Sequence, residues 1–285
     1  WGPAAWVLTP CDVPAARPAT LVAALQAAAG HVAPLVFGVS ADWAVPGWRQ
    51  VAIGHEAVID LQRRDLPAQA RRATRRGADF RVRHESVVDL AAWARRPAVA
   101  KMRAAWRQRH RLPPFGYVLD PSRLPARVGR RVWTLEGEGG QSSAALAVAT
   151  YCRQPGGRPM PEVEGWWHAP GAPAEAVTRL VFEAAQWLQA DGARGLGLNL
   201  SPLAQEAAPW LRAQRIWGRY FYSFAGVEAY KLRLSAGHKA TRYLLYPEHL
   251  PGGAPVAVAL LLRAFAGQPL HRYAWQAGAR ILDRR

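Results

Sequence analysis

The fold class is decided by residues 162–200, EVEGWWHAPGAPAEAVTRLVFEAAQWLQADGARGLGLNL. The short apolar segment 162–168 predicts a strand, and the amphipathic run 173–190 predicts a long helix. Gly192 ends that helix, and the apolar segment 196–200 predicts the next strand. A strand, a helix and a second strand in this order are typical of α/β proteins.

The same alternation extends to both sides of this unit. Further strands are predicted at 6–9, 35–39, 50–61, 80–83, 131–135, 144–152, 220–224 and 242–246. Further helices are predicted at 15–29, 67–76, 90–109, 207–214, 226–234 and 256–265. Segment 50–61 is either a strand pair or one strand bulged at Gly54, and Pro97 is expected to break 90–109. Prolines at 113, 114, 121 and 125 indicate a connector, so we expect two domains, 1–115 and 116–285.

The chain is strongly basic. It has 37 Lys and Arg against 20 Asp and Glu, which gives a formal net charge of +17. Such an excess opposes compaction and favours a polyanionic partner, either nucleic acid or an anionic lipid surface. The alternative is a host with GC-rich coding, in which arginine is abundant for reasons unrelated to binding.

Two arginine groups have helical spacing and are candidate nucleic-acid contacts. They are Arg71, Arg72, Arg75 and Arg76 in the first group, and Arg103 and Arg107 in the second. Arginine pairs bidentately with phosphate, and Trp106 beside the second group suggests base stacking. The alternatives are a solvated helix face and contact with anionic lipid.

Several function classes lack their motifs here. The sequence contains no P-loop, no Gly-x-Ser-x-Gly elbow and no His-Glu-x-x-His pair. Two distant cysteines and eight dispersed histidines do not indicate a metal site, so no metal is expected. The longest apolar run, Ala254–Leu262, has nine residues, far fewer than the ~20 of a membrane-spanning helix. We therefore expect a cytoplasmic protein, with or without peripheral membrane contact.

Carboxylates on two predicted strands are candidate general bases: Glu56, which follows His55, and Asp60 on 50–61, and Glu162 and Glu164 on 162–168. Glu162 and Glu164 lie two residues apart, so they are expected to share a face of the strand. A glutamate facing a cleft can act as a base when its pKa is raised. The alternative is a solvated strand face.

Three segments in order carry a family resemblance: Gly54–Gly77, Trp166–Leu203 and Tyr220–Pro247. Together they resemble the cytoplasmic C-terminal domain of bacterial phosphatidylglycerol lysyltransferases and alanyltransferases, and most closely its soluble, stand-alone relatives of unassigned function. The resemblance implies two GNAT-type α/β modules in tandem that face a shared cleft. It also implies aminoacyl transfer from aminoacyl-tRNA to the hydroxyl of a polar lipid headgroup, with tRNA as the polyanion.

This sequence differs from the family pattern where amino-acid binding is expected. The family's Asp-Leu-x-Arg is Gly165–His168 here, its Asn-Gly is Ala174-Glu175, and its Trp-Glu-Pro is Lys239–Thr241. The retained positions are Phe224, Gly226, Tyr230, Lys231, Arg242 and Tyr243. These departures keep open a second hypothesis, a non-catalytic descendant that binds tRNA or another polyanion.

The resemblance and the local pattern together give the predicted site. The catalytic candidates are Glu164, His168 and Lys231, and the substrate-binding candidates are Trp166, Trp167, Glu175, Tyr230, Arg242 and Tyr243. No cofactor is expected beyond aminoacyl-tRNA as co-substrate. A CoA-dependent N-acyltransferase is the less favoured alternative, because Pro170 and Pro173 remove backbone donors where a pyrophosphate would bind.

Overall fold

The computed structural model describes residues 5–8, 18–30, 32–63, 72, 75, 80–109, 124–137, 141–152, 157–218 and 223–282. The predicted domain boundary at 115/116 lies outside these ranges, as do Arg71, Arg76 and residues 220–222 of a predicted strand.

The described strands form one nine-stranded mixed sheet. They are β1 Ala5–Leu8, β2 Ala33–Val39, β3 Trp48–Asp60, β4 Arg81–Ser86, β5 Arg131–Glu136, β6 Ser142–Tyr151, β7 Met160–His168, β8 Gly195–Pro202 and β9 Lys239–Pro247. Their order across the sheet is β1-β2-β9-β3-β8-β7-β6-β5-β4. β1 pairs with β2 and β7 with β8 in parallel, and the other neighbours are antiparallel. The sheet therefore continues from strands of residues 1–115 to strands of residues 116–285 on both sides of β3.

Helices cover both faces of this sheet. They are α1 Pro18–Ala29, α2 Leu90–Ala94, α3 Pro97–Arg109, α4 Ala176–Ala190, α5 Pro209–Ala213, α6 Arg215–Gly218, α7 Phe224–Leu234, α8 Gly253–Ala266 and α9 Leu270–Leu282. Leu35 and Phe37 pack with α8, whereas Val36 between them packs with α1. Alternate strand residues thus point to opposite helical layers. The predicted α/β class is confirmed.

The structure differs from the sequence prediction in the C-terminal part of the chain. Phe224 begins α7 and does not end a strand. The helix α9 was not predicted, although Leu270, Ala274, Ala277 and Ile281 have helical spacing after Pro269. Two other expectations are confirmed: Pro97 separates α2 from α3, and segment 50–61 is one bulged strand.

Gly54 lies at the bulge of β3, where this strand pairs with both β8 and β9. Its φ of +153° lies in the region that favours glycine, and a Cβ there would overlap the carbonyl oxygen of Ser201. The glycine therefore allows the close approach of β3 and β8.

The parallel pair β7 and β8 separates soon after it forms. The pair is registered at Glu162 and Gly197. Each strand is bulged against its other neighbour nearby, around Glu164 in β7 and Asn199 in β8. Asn199 has a left-handed φ of +66°. These irregularities turn the strand ends apart, and the candidate site lies at this divergence.

Candidate functional site

Lys231 of α7 contacts the sheet where β8 is distorted. Its ammonium donates hydrogen bonds to the carbonyl oxygens of Asn199, at 3.1 Å, and Leu200, at 2.9 Å. The left-handed turn at Asn199 points both carbonyls toward one donor, an arrangement that a regular strand does not offer. The Asn199 side chain reaches the Glu164 carbonyl of β7 at 3.5 Å.

The electrostatics of Lys231 are unusual for a lysine. Only 4% of the residue is exposed, and burial lowers its pKa from 10.5 to about 8 although the nearby charge of Glu56 opposes the shift. Lysines that are buried and have a lowered pKa are common at functional sites, where burial removes the hydration of the ammonium.

A buried ion pair lies beside Lys231. Arg242 of β9 donates through Nε and Nη2 to Oε2 of Glu56 on β3, with an Nε distance of 2.9 Å. The other oxygen, Oε1, is buried without a hydrogen-bond partner among the described residues and lies against Gly197. A Cβ on Gly197 would also come within 2.8 Å of Cγ of Glu162, so a second buried carboxylate approaches the same point.

Aromatic residues cover Lys231. Its Nζ lies 5.7 Å from the centre of the Trp166 ring, and that ring packs edge-on against Tyr230 at 6.1 Å. The Tyr230 hydroxyl lies 3.0 Å from the Thr178 hydroxyl of α4. Burial raises the pKa of Tyr230 to about 12, and the charge of Glu175 contributes to the rise. Tyr230 therefore keeps its proton at neutral pH and can donate it in a hydrogen bond.

Glu164 is fully engaged by other residues. Arg130 donates to its two oxygens at 2.5 and 3.2 Å, and the Tyr151 hydroxyl donates at 2.7 Å. The arginine also donates to the carbonyls of Val88 and Pro125, so the pair lies beside the segment that leads into α2. To act as a base, Glu164 would have to leave a paired, buried environment.

The other candidates are adjacent strand residues whose side chains point to opposite faces of the sheet. Trp167 is fully buried and packs on Trp93 of α2, whereas Trp166 faces α7. Tyr243 packs in the cluster of α1, while the adjacent Arg242 binds Glu56. His168 ends β7 two residues after Trp166, with Nδ1 3.3 Å from the Ala169 carbonyl. The structure thus brings Trp166, Tyr230, Lys231, Arg242 and Glu175 together, and it does not bring Trp167 or Tyr243 to them.

One group of described residues has metal-ligand geometry. Ligand atoms of His55, Glu206 and Glu228 lie within 4.8 Å of one another. Each carboxylate already has a cationic partner, Lys239 for Glu206 and Arg215 for Glu228. Burial raises the pKa of Glu206, but hydrogen bonds from Lys239 and His55 outweigh it and lower the pKa to about 2. This arrangement is an ion-pair network, and a metal would have to displace two cations from it.

The arginine candidates occupy different environments. Arg72 and Arg75 are helical and exposed. Arg107 is also exposed, but Arg103 donates to the Ala94 carbonyl at 3.2 Å. Trp106 is only 8% exposed and packs in the core beneath α3, so base stacking on this ring, as suggested from the sequence, is wrong.

Sequence analysis missed two residues of the site as functional candidates, Arg130 and Asn199, and it did not pair Glu56 with Arg242. Glu56 follows His55 in a strand pattern that also fits a solvated face. Its partner Arg242 lies 186 positions away. The left-handed backbone of Asn199 has a weak local signal, because asparagine tolerates this conformation better than most residues.

Comparisons with known proteins support one family. A family profile described as "Phosphatidylglycerol lysyltransferase, C-terminal" matches residues 5–246. A comparison with curated proteins gives no match.

Solved structures of the same kind share the fold. The C-terminal domain of a lysylphosphatidylglycerol synthetase from Agrobacterium fabrum is 19% identical, with a TM-score of 0.61 over 92% of this chain and 82% of that chain. The L-PGS structure from Bacillus licheniformis is 16% identical, with a TM-score of 0.59 over 86% and 76%. FemX is 8% identical, with a TM-score of 0.51 over 88% and 82%. The fold is thus GNAT-like, and with the profile match over most of its length, this chain belongs to the family of phosphatidylglycerol lysyltransferase C-terminal domains.

Proposed function

We propose that the protein transfers an aminoacyl group from aminoacyl-tRNA to a hydroxyl or amine, with a polar lipid headgroup as the first candidate acceptor. Family membership supports an aminoacyltransferase-like function. The observation that carries the proposal is the buried ammonium of Lys231, held by two carbonyls at the divergence of β7 and β8.

The reaction needs few chemical groups. The acceptor oxygen or nitrogen attacks the ester carbonyl, a tetrahedral oxyanion forms, and the ribose oxygen of the tRNA leaves. A base takes the acceptor proton and returns it to the ribose oxygen. Positioning and oxyanion stabilisation supply most of the rate enhancement in such a transfer.

Roles for this chain's residues follow from their placement. The Lys231 ammonium and the protonated Tyr230 hydroxyl are suited to stabilise the oxyanion. The charge of Glu175 acts on Tyr230, so Glu175 is suited to hold the ammonium group of the amino acid. His168, which ends β7 two residues after Trp166, is the remaining candidate base, because Glu164 is held by Arg130 and Tyr151.

The first residues of α4 argue against a CoA-dependent reaction. In a CoA site, backbone N–H groups at the start of a helix bind the pyrophosphate. Here the N-cap of α4 is Glu175, whose negative charge would face that anion, and Pro173 precedes it without a donor.

The direct test uses tRNA charged with individual radiolabelled amino acids. The protein is incubated with each charged tRNA and with vesicles that contain phosphatidylglycerol, and the label is followed into lipid, peptide and small-molecule fractions. We expect label in one acceptor fraction with at least one amino acid, and none after prior ribonuclease treatment. Tight tRNA binding without transfer from any charged tRNA would contradict the proposal and favour the non-catalytic descendant.

Binding of tRNA is expected to depend on Arg72 and Arg75. Changing both to Glu should reduce the slope of log K against log salt by about 2, because each phosphate contact contributes roughly one unit. The measurement is a salt titration of tRNA affinity by filter binding. The matched control changes Arg95 and Arg212, which are also exposed, to Glu. An equal change of slope in both double variants would show that net charge, and not contact by Arg72 and Arg75, sets the salt dependence.

A further inference from the structure

The C-terminal helix α9 follows α8 and adds none of its described side chains to the buried core. None of these side chains, residues 270–276 and 278–279, is buried. By contrast, α8 buries Ala257, Leu261 and Phe265 against β2, β3 and β9. Helices in folded proteins owe most of their stability to a packed apolar face. The described residues of α9 therefore leave an open surface beside α8.

The two helices enclose an open apolar groove of about 710 Å³. Val256, Ala259 and Leu260 of α8 line one side, and Pro269 and Leu270 line the other. Arg263 and Arg272 border the same groove. The groove thus combines an aliphatic floor with guanidinium groups at its edge.

Large apolar side chains are exposed on both helices. Trp275 of α9 is 80% exposed, and Leu262 and Val256 of α8 are also exposed. An exposed tryptophan beside aliphatic groups is characteristic of a membrane–water interface, where its ring lies at the level of the headgroups. The surface is therefore apolar enough to bind a partner, and other described residues do not cover it.

The charge of the α8–α9 segment, residues 249–282, indicates what kind of partner it binds. Residues 249–282 contain no Asp or Glu, whereas Arg263 and Arg272 form no ion pair with any described residue. A basic, acid-free amphipathic helix with tryptophan is the composition of segments that lie on anionic bilayers. An apolar partner protein would not require the complete loss of acidic residues over 34 positions.

The length and apolarity of α8 and α9 were compared with those of a membrane-spanning helix. No single helix among the described residues is long and apolar enough to span a membrane. Residues 253–266 and 270–276 reach that length and apolarity only as a pair, bent by 56°. A bent pair with its apolar groove facing outward is suited to lie along a surface.

We propose that the bent α8–α9 pair docks the protein on the surface of an anionic lipid bilayer, with Trp275 inserted among the headgroups and Arg272 bound to lipid phosphates. This proposal goes beyond the transfer reaction and does not depend on it, because docking requires neither Lys231 nor a charged tRNA.

The test is flotation with vesicles of phosphatidylcholine alone and of phosphatidylcholine mixed with phosphatidylserine. Phosphatidylserine supplies negative charge without being the first candidate acceptor, so docking is measured apart from catalysis. We expect binding to the anionic vesicles, and a loss of about tenfold in the partition coefficient for Trp275→Ala, since the indole is the largest apolar group on this face. Arg272→Glu is expected to cause a similar loss that grows as salt is lowered.

Matched controls are available elsewhere on the surface. Trp210→Ala removes another exposed tryptophan, and Arg95→Glu reverses another exposed arginine. Both should float as the unchanged protein does. The proposal would be overturned by equal binding to neutral vesicles or by equal losses in the control variants. It would also be overturned by a Trp275-dependent dimer in sedimentation without vesicle binding, which would make the α8–α9 pair a subunit interface.

Discussion

Replacement of Arg242 by leucine is expected to lower the free energy of unfolding by about 3–5 kcal/mol. The substitution leaves the carboxylate of Glu56 buried and without its partner, and Glu56 is 1% exposed. One Glu56 oxygen already lacks a hydrogen-bond partner among the described residues, so the loss of Arg242 leaves both oxygens without one. Chemical denaturation at neutral pH measures the change.

The control for Arg242→Leu is Arg49→Leu. Arg49 of β3 also pairs with a glutamate, Glu248 in the turn after β9, but both side chains are more than half exposed. An exposed pair of this kind contributes about 1 kcal/mol or less. The double variant Glu56→Leu with Arg242→Leu is expected to recover most of the lost stability, because it removes both buried charges. Equal costs for Arg242→Leu and Arg49→Leu would contradict the burial argument.

Replacement of Lys231 by methionine is expected to lower the rate of aminoacyl transfer by about 10²–10³-fold. This is the range measured when one oxyanion-stabilising donor is removed from an acyl-transfer site. The rate constant in single-turnover transfer, with tRNA affinity measured in parallel, separates a loss of chemistry from a loss of binding. Lys101→Met, at an exposed position of α3, is the matched control and should react as the unchanged protein does. A rate for Lys231→Met within twofold of the control would exclude the assigned role.

The pKa of Lys231 adds two pH readouts. The transfer rate of the unchanged protein should fall as pH rises through about 8, because the ammonium loses its proton there. Lys231→Arg, whose guanidinium does not titrate in this range, should lose this dependence.

Stability gives a readout that needs no substrate. The unfolded chain keeps the Lys231 proton up to about 10.5 and the folded chain up to about 8, so the unfolded state binds more protons between these values. Stability therefore rises with pH in that window, by up to about 3 kcal/mol relative to Lys231→Met. Parallel stability curves for the two proteins would show that the lysine titrates normally.

Local sequence patterns determined the elements of the fold. Strand–helix–strand alternation indicated α/β, Pro97 marked the break between α2 and α3, and Gly54 marked the bulge of β3. These signals are short-range, because period, proline and glycine act on the backbone within a few residues. The family resemblance came from the same kind of information, three segments in order.

The relations among the site residues required the tertiary structure. The bulge around Glu164 and the left-handed Asn199 set the direction of side chains that a regular strand would have oriented otherwise. Strand alternation separates adjacent residues such as Trp166 and Trp167, but only the packed layers show that Trp166 faces α7 and Trp167 faces α2.

By itself, then, the sequence determined the α/β class, the family and the excess of positive charge. Only the tertiary structure decided which charges are partners and which surfaces stay open. Glu56 meets Arg242 across 186 positions, and Arg130 meets Glu164 across 34. The physical reason is that the energy of a charge depends on its burial, and the sequence alone does not specify that burial. Burial of its ammonium between α7 and β8 makes Lys231 a site residue, and no element among the described residues covers Trp275.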